Sequence, residues 1–240
     1  MNMKEALNSI STEGLVIEID EATRQKLQRE LLGMYKDILA ACRKHDIIPY
    51  LCGGSSLGAI RHKGFIPWDD DLDVAMTRAD YQRFVQIFDS ELSDKYVLNA
   101  PNYSKVSMTR FPKVMKKGTV FMEIGALEGL DFQGIPIDIF IIENVPENAV
   151  HRKLKGLYCN FLEFVGGRVL SYQSRTEYSE RLHKAVGMKS YYFNKAIGFL
   201  FSFRKASRWN DSVDKAVQYH KESKLCNLAT GRKHYFGEIH

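Results

Sequence analysis

The sequence predicts an α/β fold: a mixed sheet with helices over residues 1–146, then a basic, mainly helical C-terminal part over residues 147–240 packed on that core. Three observations predict it. Short β-prone runs alternate with helical periodicity as far as Pro146. The run from Ile137 to Ile142 is apolar and β-branched apart from one aspartate, as a sheet-centre strand would be. After Pro146 strand signals fade and helical stretches dominate, at roughly 147–170, 177–188, 190–205 and 210–222.

The elements follow in order. Residues 20–45 read as a helix because Leu27, Leu31, Tyr35, Ile38, Leu39 and Cys42 recur at three- and four-residue spacing. IIPYLCGG, Ile47 to Gly54, reads as a short buried strand ending in glycines, with Ser55 or Ser56 as cap of the helix that follows. Gly64 and Pro67 make GFIPWDD a loop. Asp71 to Met76 alternates as a strand. Thr77 caps the helix RADYQRFVQIF, whose Tyr81, Phe84, Val85 and Phe88 form one apolar face. Tyr96 to Ala100 is a strand, Phe111 to Ile124 reads as strand pairs around a turn at Lys117 and Gly118, and Gly134 to Pro146 holds the β-prone run.

Composition bounds the function. With 240 residues, 45% hydrophobic and 26% charged, the chain is ordinary globular material. No apolar run is long enough to span a bilayer, and the N-terminus lacks the basic and apolar pattern of a secretion signal. Cys42, Cys52, Cys159 and Cys226 are scattered without a CxxC or Cys/His cluster, which argues against structural zinc and for free thiols in a cytoplasmic protein. The net charge of +5 hides an asymmetry: residues 1–150 hold 17 Lys and Arg against 22 Asp and Glu, and residues 151–240 hold 17 against 7. The acidic part suits a metal. The basic part suits phosphates, nucleic acid or an anionic membrane surface, or is simply a solvated face.

The chemistry concentrates in carboxylates. Asp69, Asp70, Asp71 and Asp73 fall within five residues. On a strand Asp71 and Asp73 share a face about 7 Å apart, a spacing that can grip a hard cation such as magnesium together with substrate phosphate oxygens. Asp138 stands alone in IPIDIFII, where an ionised carboxylate is costly unless paired or metal-bound, so its strand is expected beside that of Asp71 and Asp73. The turn Gly53-Gly54-Ser55-Ser56, opening a helix, can present N–H groups to an anion.

Gly54-Ser55, Asp71-x-Asp73 and a later Asp138 resemble the pattern of the nucleotidyltransferase superfamily that includes DNA polymerase β. More narrowly, GSSLGAIRHKGFIPWDDDLDVAMTRADYQRF, Gly54 to Phe84, closely resembles the LicD family, which carries GTLLGAxRHxGFIPWDDDxDxxM followed by an Arg and an Asp-Tyr pair. The likeness is dense over this stretch, looser from Met1 to Pro146 and weak beyond; the Phe-Glu-Gly and Tyr-Gly-Asp motifs that many members carry further on do not occur.

The resemblance implies a polymerase β-like core and metal-dependent transfer of a phospho-alcohol to a sugar hydroxyl. Phosphorylcholine from CDP-choline is the first candidate, and teichoic acid or lipopolysaccharide precursors, lipid-linked at the inner membrane face, are the acceptors. Fukutin-like relatives move other alcohols such as ribitol phosphate. On this reading Asp71 and Asp73 hold Mg2+ (or Mn2+), and Asp138 is a further metal ligand or the base, with Asp70 in support. Gly54 and Ser55 contact donor phosphates.

Arg61, His62 and Lys63 form a cationic run, with His62 either on a phosphate or locally packed. Lys113 is a phosphate ligand or a snorkelling edge lysine. Trp68 stacks on a base, covers a quaternary ammonium, or anchors the core beside Pro67. Phe111, Tyr103 and Phe121 are further aromatics for a choline cage.

Two other readings use the same residues. One is a nucleotidyltransferase moving a nucleoside monophosphate to a small molecule or nucleic acid. The other is a basic nucleic-acid-binding module, which lacks a compact binding motif and sits beside repelling carboxylates, so no nucleic acid is expected. Finally, Tyr192, Ala196, Phe199, Leu200 and Phe203, with Lys195, Arg204 and Lys205 nearby, make Tyr191–Lys205 either a core-packed helix or a peripheral contact with an anionic membrane.

Overall fold

The computed structural model describes residues 19–104, 109, 111–121, 134–173, 188–228 and 236–237. Asp20 accepts a hydrogen bond from the Thr23 N–H and starts helix α1 (Glu21–Lys44). The expected stripe of this helix is buried through Leu27, Leu31, Ile38 and Cys42 and gains Met34, while Tyr35 and Leu39 are half-buried. A short strand β1 (Tyr50–Leu51) leads into α2 (Gly53–Arg61), and the acidic loop then feeds β2 (Asp73–Thr77). Thr77 caps α3 (Arg78–Glu91), as the sequence predicts, and Tyr81, Phe84 and Phe88 are buried.

The sheet continues with β3 (Tyr96–Asn99), β4 (Lys113–Lys116) and β5 (Pro136–Asn144). Among the described residues its path is β1-β2-β5-β4-β3, with β6 (Cys226–Leu228) pairing β5 and β7 (Phe236–Gly237) pairing β6. β2 and β5 run parallel and the other pairs antiparallel, so the sheet is mixed. β5 alternates strictly: Ile137, Ile139 and Ile141 point into the core with Val74, Met76, Phe84 and Phe88, while Asp138 and Phe140 point the other way.

Three expectations change. The strand predicted over Ile47–Gly54 is only two residues long, because Gly53 and Gly54 enter the helix. The serine cap is replaced by Cys52 as N-cap, with no side-chain cap bond. Beyond the turn at Gly118, residues 119–121 form no strand; the rest of the predicted arm falls in 122–133, outside the described residues. β4 pairs with β3 and β5 instead.

After Pro146 come α4 (Ala149–Gln173), α5 (Met188–Leu200) and α6 (Ala206–Val217). The helix expected over 177–188 lies almost wholly outside the described residues. Cys159, Leu162, Val165 and Val169 of α4 pack with Trp209, Val213 and Val217 of α6 in a second core. The two cores are joined by ions. Arg78 of α3 donates through Nε to Glu143 of β5 at 2.9 Å and through a terminal nitrogen to Asp214 of α6 at 2.8 Å, and Glu143 is only 1% exposed. All four cysteines are free thiols, as expected.

Candidate active site

The site begins with a register. In the parallel ladder Asp73 of β2 lies opposite Asp138 of β5, and in the antiparallel ladder Lys113 of β4 lies opposite the same Asp138. Asn99 of β3 lies opposite Lys113. Residues directly opposite share a face, so Asp73, Asp138, Lys113 and Asn99 form one polar row across four strands, on the side away from the main core. The Lys113 ammonium is 3.0 Å from Asp138 Oδ1 and 5.6 Å from the ring centre of Phe111, which stacks on Phe140 at 4.8 Å. Lys113 is 7% exposed, so it is a buried partner of Asp138 and not an edge lysine.

Asp71 departs from the expected geometry. The ladder begins at Asp73, because β5 offers a partner only from there and β1 only from Val74, and Asp71 stands in the preceding loop. Asp71 and Asp73 are therefore not two teeth of one strand face. The loop folds the carboxylates together instead. Oxygens of Asp69, Asp70 and Asp71 all lie within 4.8 Å of one another, and among the described residues this is the group with metal-ligand spacing, not the predicted trio Asp71, Asp73 and Asp138. Gln28 of α1 fixes the loop from behind, donating to the carbonyls of Asp69 at 2.8 Å and Ile66 at 3.4 Å. Neither Gln28 nor Asp69 carries a sequence signal of its role beyond Asp69 being the first of the acidic run.

Helix α2 closes the site. Gly53 adopts φ +54, and a Cβ there would meet Asp73 Oδ2 at 2.9 Å; a Cβ on Gly54 would meet Asp69 Oδ2 at 2.7 Å. The positive φ favours glycine at position 53, and at position 54 a side chain would have to push the Asp69 carboxylate aside. Ser55 is buried, and its hydroxyl accepts the Asp73 N–H at 2.8 Å, so the side chain first of all orients Asp73. Uncapped N–H groups at this helix start leave its positive end facing the acidic cluster.

The remaining candidates are placed as follows. Arg61 ends α2, about 12 Å along the axis from Gly53, and Arg61, His62 and Lys63 are all exposed. Trp68 is 73% exposed, with its ring edge-on to His62 at 6.4 Å. It is not a core anchor, because the loop holding it runs over the surface. Tyr103 donates its hydroxyl to Asp89 and Phe121 packs on the main core, so of the three further aromatics only Phe111 lies beside the carboxylate row.

Crowded carboxylates repel. Burial pushes the Asp73 carboxyl up to about 7, with Asp71, Asp138 and Asp69 adding and Lys113 opposing. Asp71 is pushed up to about 6 by burial and by Asp69, Asp70 and Asp138. The Cys52 thiol is pushed up to about 12 by burial and by Asp73 and Asp138, which removes it as a nucleophile. A carboxyl raised above its unfolded value binds more protons folded than unfolded, so stability falls as pH rises from about 4 through 7. In a chelating buffer Asp73→Asn is expected to gain melting temperature over wild type, with a gap that widens from pH 5 to pH 8. Thermal melts at the two pH values check this; a gap that shrinks toward pH 8 contradicts the repulsion.

Comparisons with known proteins agree with the resemblance. The family model described as LicD/FKTN/FKRP, nucleotidyltransferase domain, matches residues 50–153. The chain is 38% identical over 142 residues to the lipopolysaccharide cholinephosphotransferase LicD of Haemophilus influenzae, covering 55% of this chain and 52% of that protein. It is also 38% identical over 63 residues to an uncharacterized protein of Rickettsia typhi, covering 26% of this chain and 20% of that one. The chain thus spans about half the length of the Haemophilus protein and about a fifth of the rickettsial one. No solved structure matches. The residues that match the LicD/FKTN/FKRP nucleotidyltransferase-domain model carry α2, the acidic loop, β2, β4 and β5, and so every carboxylate of the site.

Proposed function

We propose that the protein is a metal-dependent phospho-alcohol transferase that moves phosphorylcholine from CDP-choline to a sugar hydroxyl of a lipopolysaccharide or teichoic acid precursor. The register Asp73 opposite Asp138, with Asp69, Asp70 and Asp71 folded against it at the start of α2, carries this reading. The likeness to a lipopolysaccharide cholinephosphotransferase supports the cargo and the acceptor class.

Oxygen-only donors whose carboxyls are pushed up to about 6 and 7 fit a hard divalent cation, which relieves that repulsion. Asp69, Asp70 and Asp71, which have metal-ligand spacing, would hold magnesium or manganese, and Asp73 and Asp138 of the neighbouring row would complete its oxygen donors. The ion would offset the charge of the donor's pyrophosphate. The chain's own residues do the rest. The acceptor hydroxyl oxygen forms a bond to the phosphorus bearing choline, the bond to the CMP phosphate oxygen breaks, and CMP leaves. The hydroxyl proton passes to a carboxylate of the row. Lys113 holds Asp138 in place, and the α2 start with the Gly54 N–H would take the donor's phosphates. Exposed Trp68 is available to cover the quaternary ammonium. The mixed sheet, with Asp73 and Asp138 opposite one another on parallel strands, supports the polymerase β-like core that the family likeness implies.

The test is a donor panel of CDP-choline, CDP-ribitol, CDP-glycerol and nucleoside triphosphates, read as CMP or pyrophosphate release. The expected result is magnesium-dependent CMP release, with CDP-choline preferred and CDP-ethanolamine lower in kcat/KM. Pyrophosphate release from a nucleoside triphosphate instead overturns the reading in favour of nucleotidyl transfer.

A further inference from the structure

Helix α4 is apolar on two sides. Its inner side is the second core. Its outer side carries Leu154, Leu157, Tyr158, Phe161 and Phe164, all exposed. At 100° per residue these five fall on one stripe about 15 Å long. A helix with such an outer side is normally covered.

The neighbouring segment extends the stripe. Tyr192, Phe199 and Leu200 of α5 are exposed, and Phe203 after it is 80% exposed. Ring contacts join the two: Phe161 meets Phe201 at 6.3 Å, Phe201 meets Phe203 at 6.3 Å, and Tyr172 of α4 meets Phe199 at 5.9 Å. An apolar surface of this continuity marks an interaction site. The core-packed alternative for Tyr191–Lys205 is thereby set aside.

The charge around it has one sign. Residues 191–205 carry Lys195, Arg204 and Lys205 and no acidic residue. Arg168 lies 4.9 Å over the Phe164 ring, Lys195 5.6 Å over Tyr191, and Arg204 5.1 Å over Trp209. We infer that the outer face of α4 and α5 docks on an anionic lipid bilayer, with Phe, Leu and Tyr side chains among the headgroups and the lysines and arginines against lipid phosphates. Charge complementarity selects this occupant. A second copy of the chain would bring the same cations face to face across a two-fold axis. Among the described residues no helix is long and apolar enough to cross a membrane, so the face lies on the bilayer and does not span it.

Sedimentation with lipid vesicles tests this, with no dependence on catalysis. The full chain is expected to bind phosphatidylglycerol-containing vesicles at least about 10-fold more strongly than phosphatidylcholine vesicles, with binding falling as added salt shortens the electrostatic reach. Leu157→Glu and Phe199→Asp should each lower binding about 10-fold or more at unchanged melting temperature. Equal binding to both vesicles, or variants that bind like wild type, overturns the inference. So does unfolding of both variants, which makes the stripe core, or a dimer that these variants split while vesicle binding is absent.

Discussion

Asp73→Asn is expected to lower kcat/KM for CMP release from CDP-choline by about 10³-fold or more, the scale of losing one fixed charge at a reacting phosphoryl group. Asp71→Asn and Asp138→Asn should fall comparably. Stability separates them. Asp73→Asn removes a carboxylate that its neighbours repel, so the metal-free variant should melt above wild type at pH 8. Asp138→Asn takes away the carboxylate facing buried Lys113 and should melt below it. Steady-state kinetics with magnesium and melts in chelator give both readouts. Near-wild-type turnover in Asp73→Asn removes the site assignment, and equal stability changes in the two variants remove the electrostatic account of it.

Arg78→Ala is expected to cost about 3 kcal/mol or more, or roughly 6–12 °C in melting temperature, because it strands Glu143 in the core. Arg78 binds two carboxylates from different parts of the chain, Glu143 of the sheet and Asp214 of the C-terminal helices. The apolar pair Arg78→Met with Glu143→Leu should recover most of the loss, since the desolvation of both ions disappears with them. Asp214 tolerates the change better, for it also accepts from Asn102 at 2.8 Å and from Gln218 at 3.2 Å. Urea melts of the single and double variants check this; a double variant as unstable as Arg78→Ala shows that packing, not charge, holds the junction.

The sequence announced the polar row where chemistry is out of place in a pattern. A lone aspartate in IPIDIFII is costly by itself, and its strand is expected beside that of Asp73 for that reason; its pairing with Lys113 is not foreseen, since the lysine reads as a phosphate ligand or an edge residue. Alternation misled at Asp71, because a strand pattern says nothing of where neighbouring strands begin. Asp69 and Gln28 were hidden because their roles depend on how a loop folds back, which no local periodicity encodes. β6 was missed since Cys-Asn-Leu alternates no more than a coil does. The outer stripe of α4 escaped because apolar residues on both sides of a helix look like a buried helix.

The parallel pairing of β2 with β5 has a kinetic consequence. Its opposed aspartates are separated by the whole stretch from residue 73 to residue 138, and a parallel pair cannot form from a tight turn. Closing so long a loop must precede any benefit from the contact, which places this ladder late in folding. A chain emerging in sequence order exposes the acidic loop well before Asp138 exists to join it. Until β5 docks, the loop is a set of mutually repelling charges with half a binding site. If the proposed divalent cation is held through both strands, that competence arrives together with the completed sheet, and cation uptake during refolding would report the last large event and not the first.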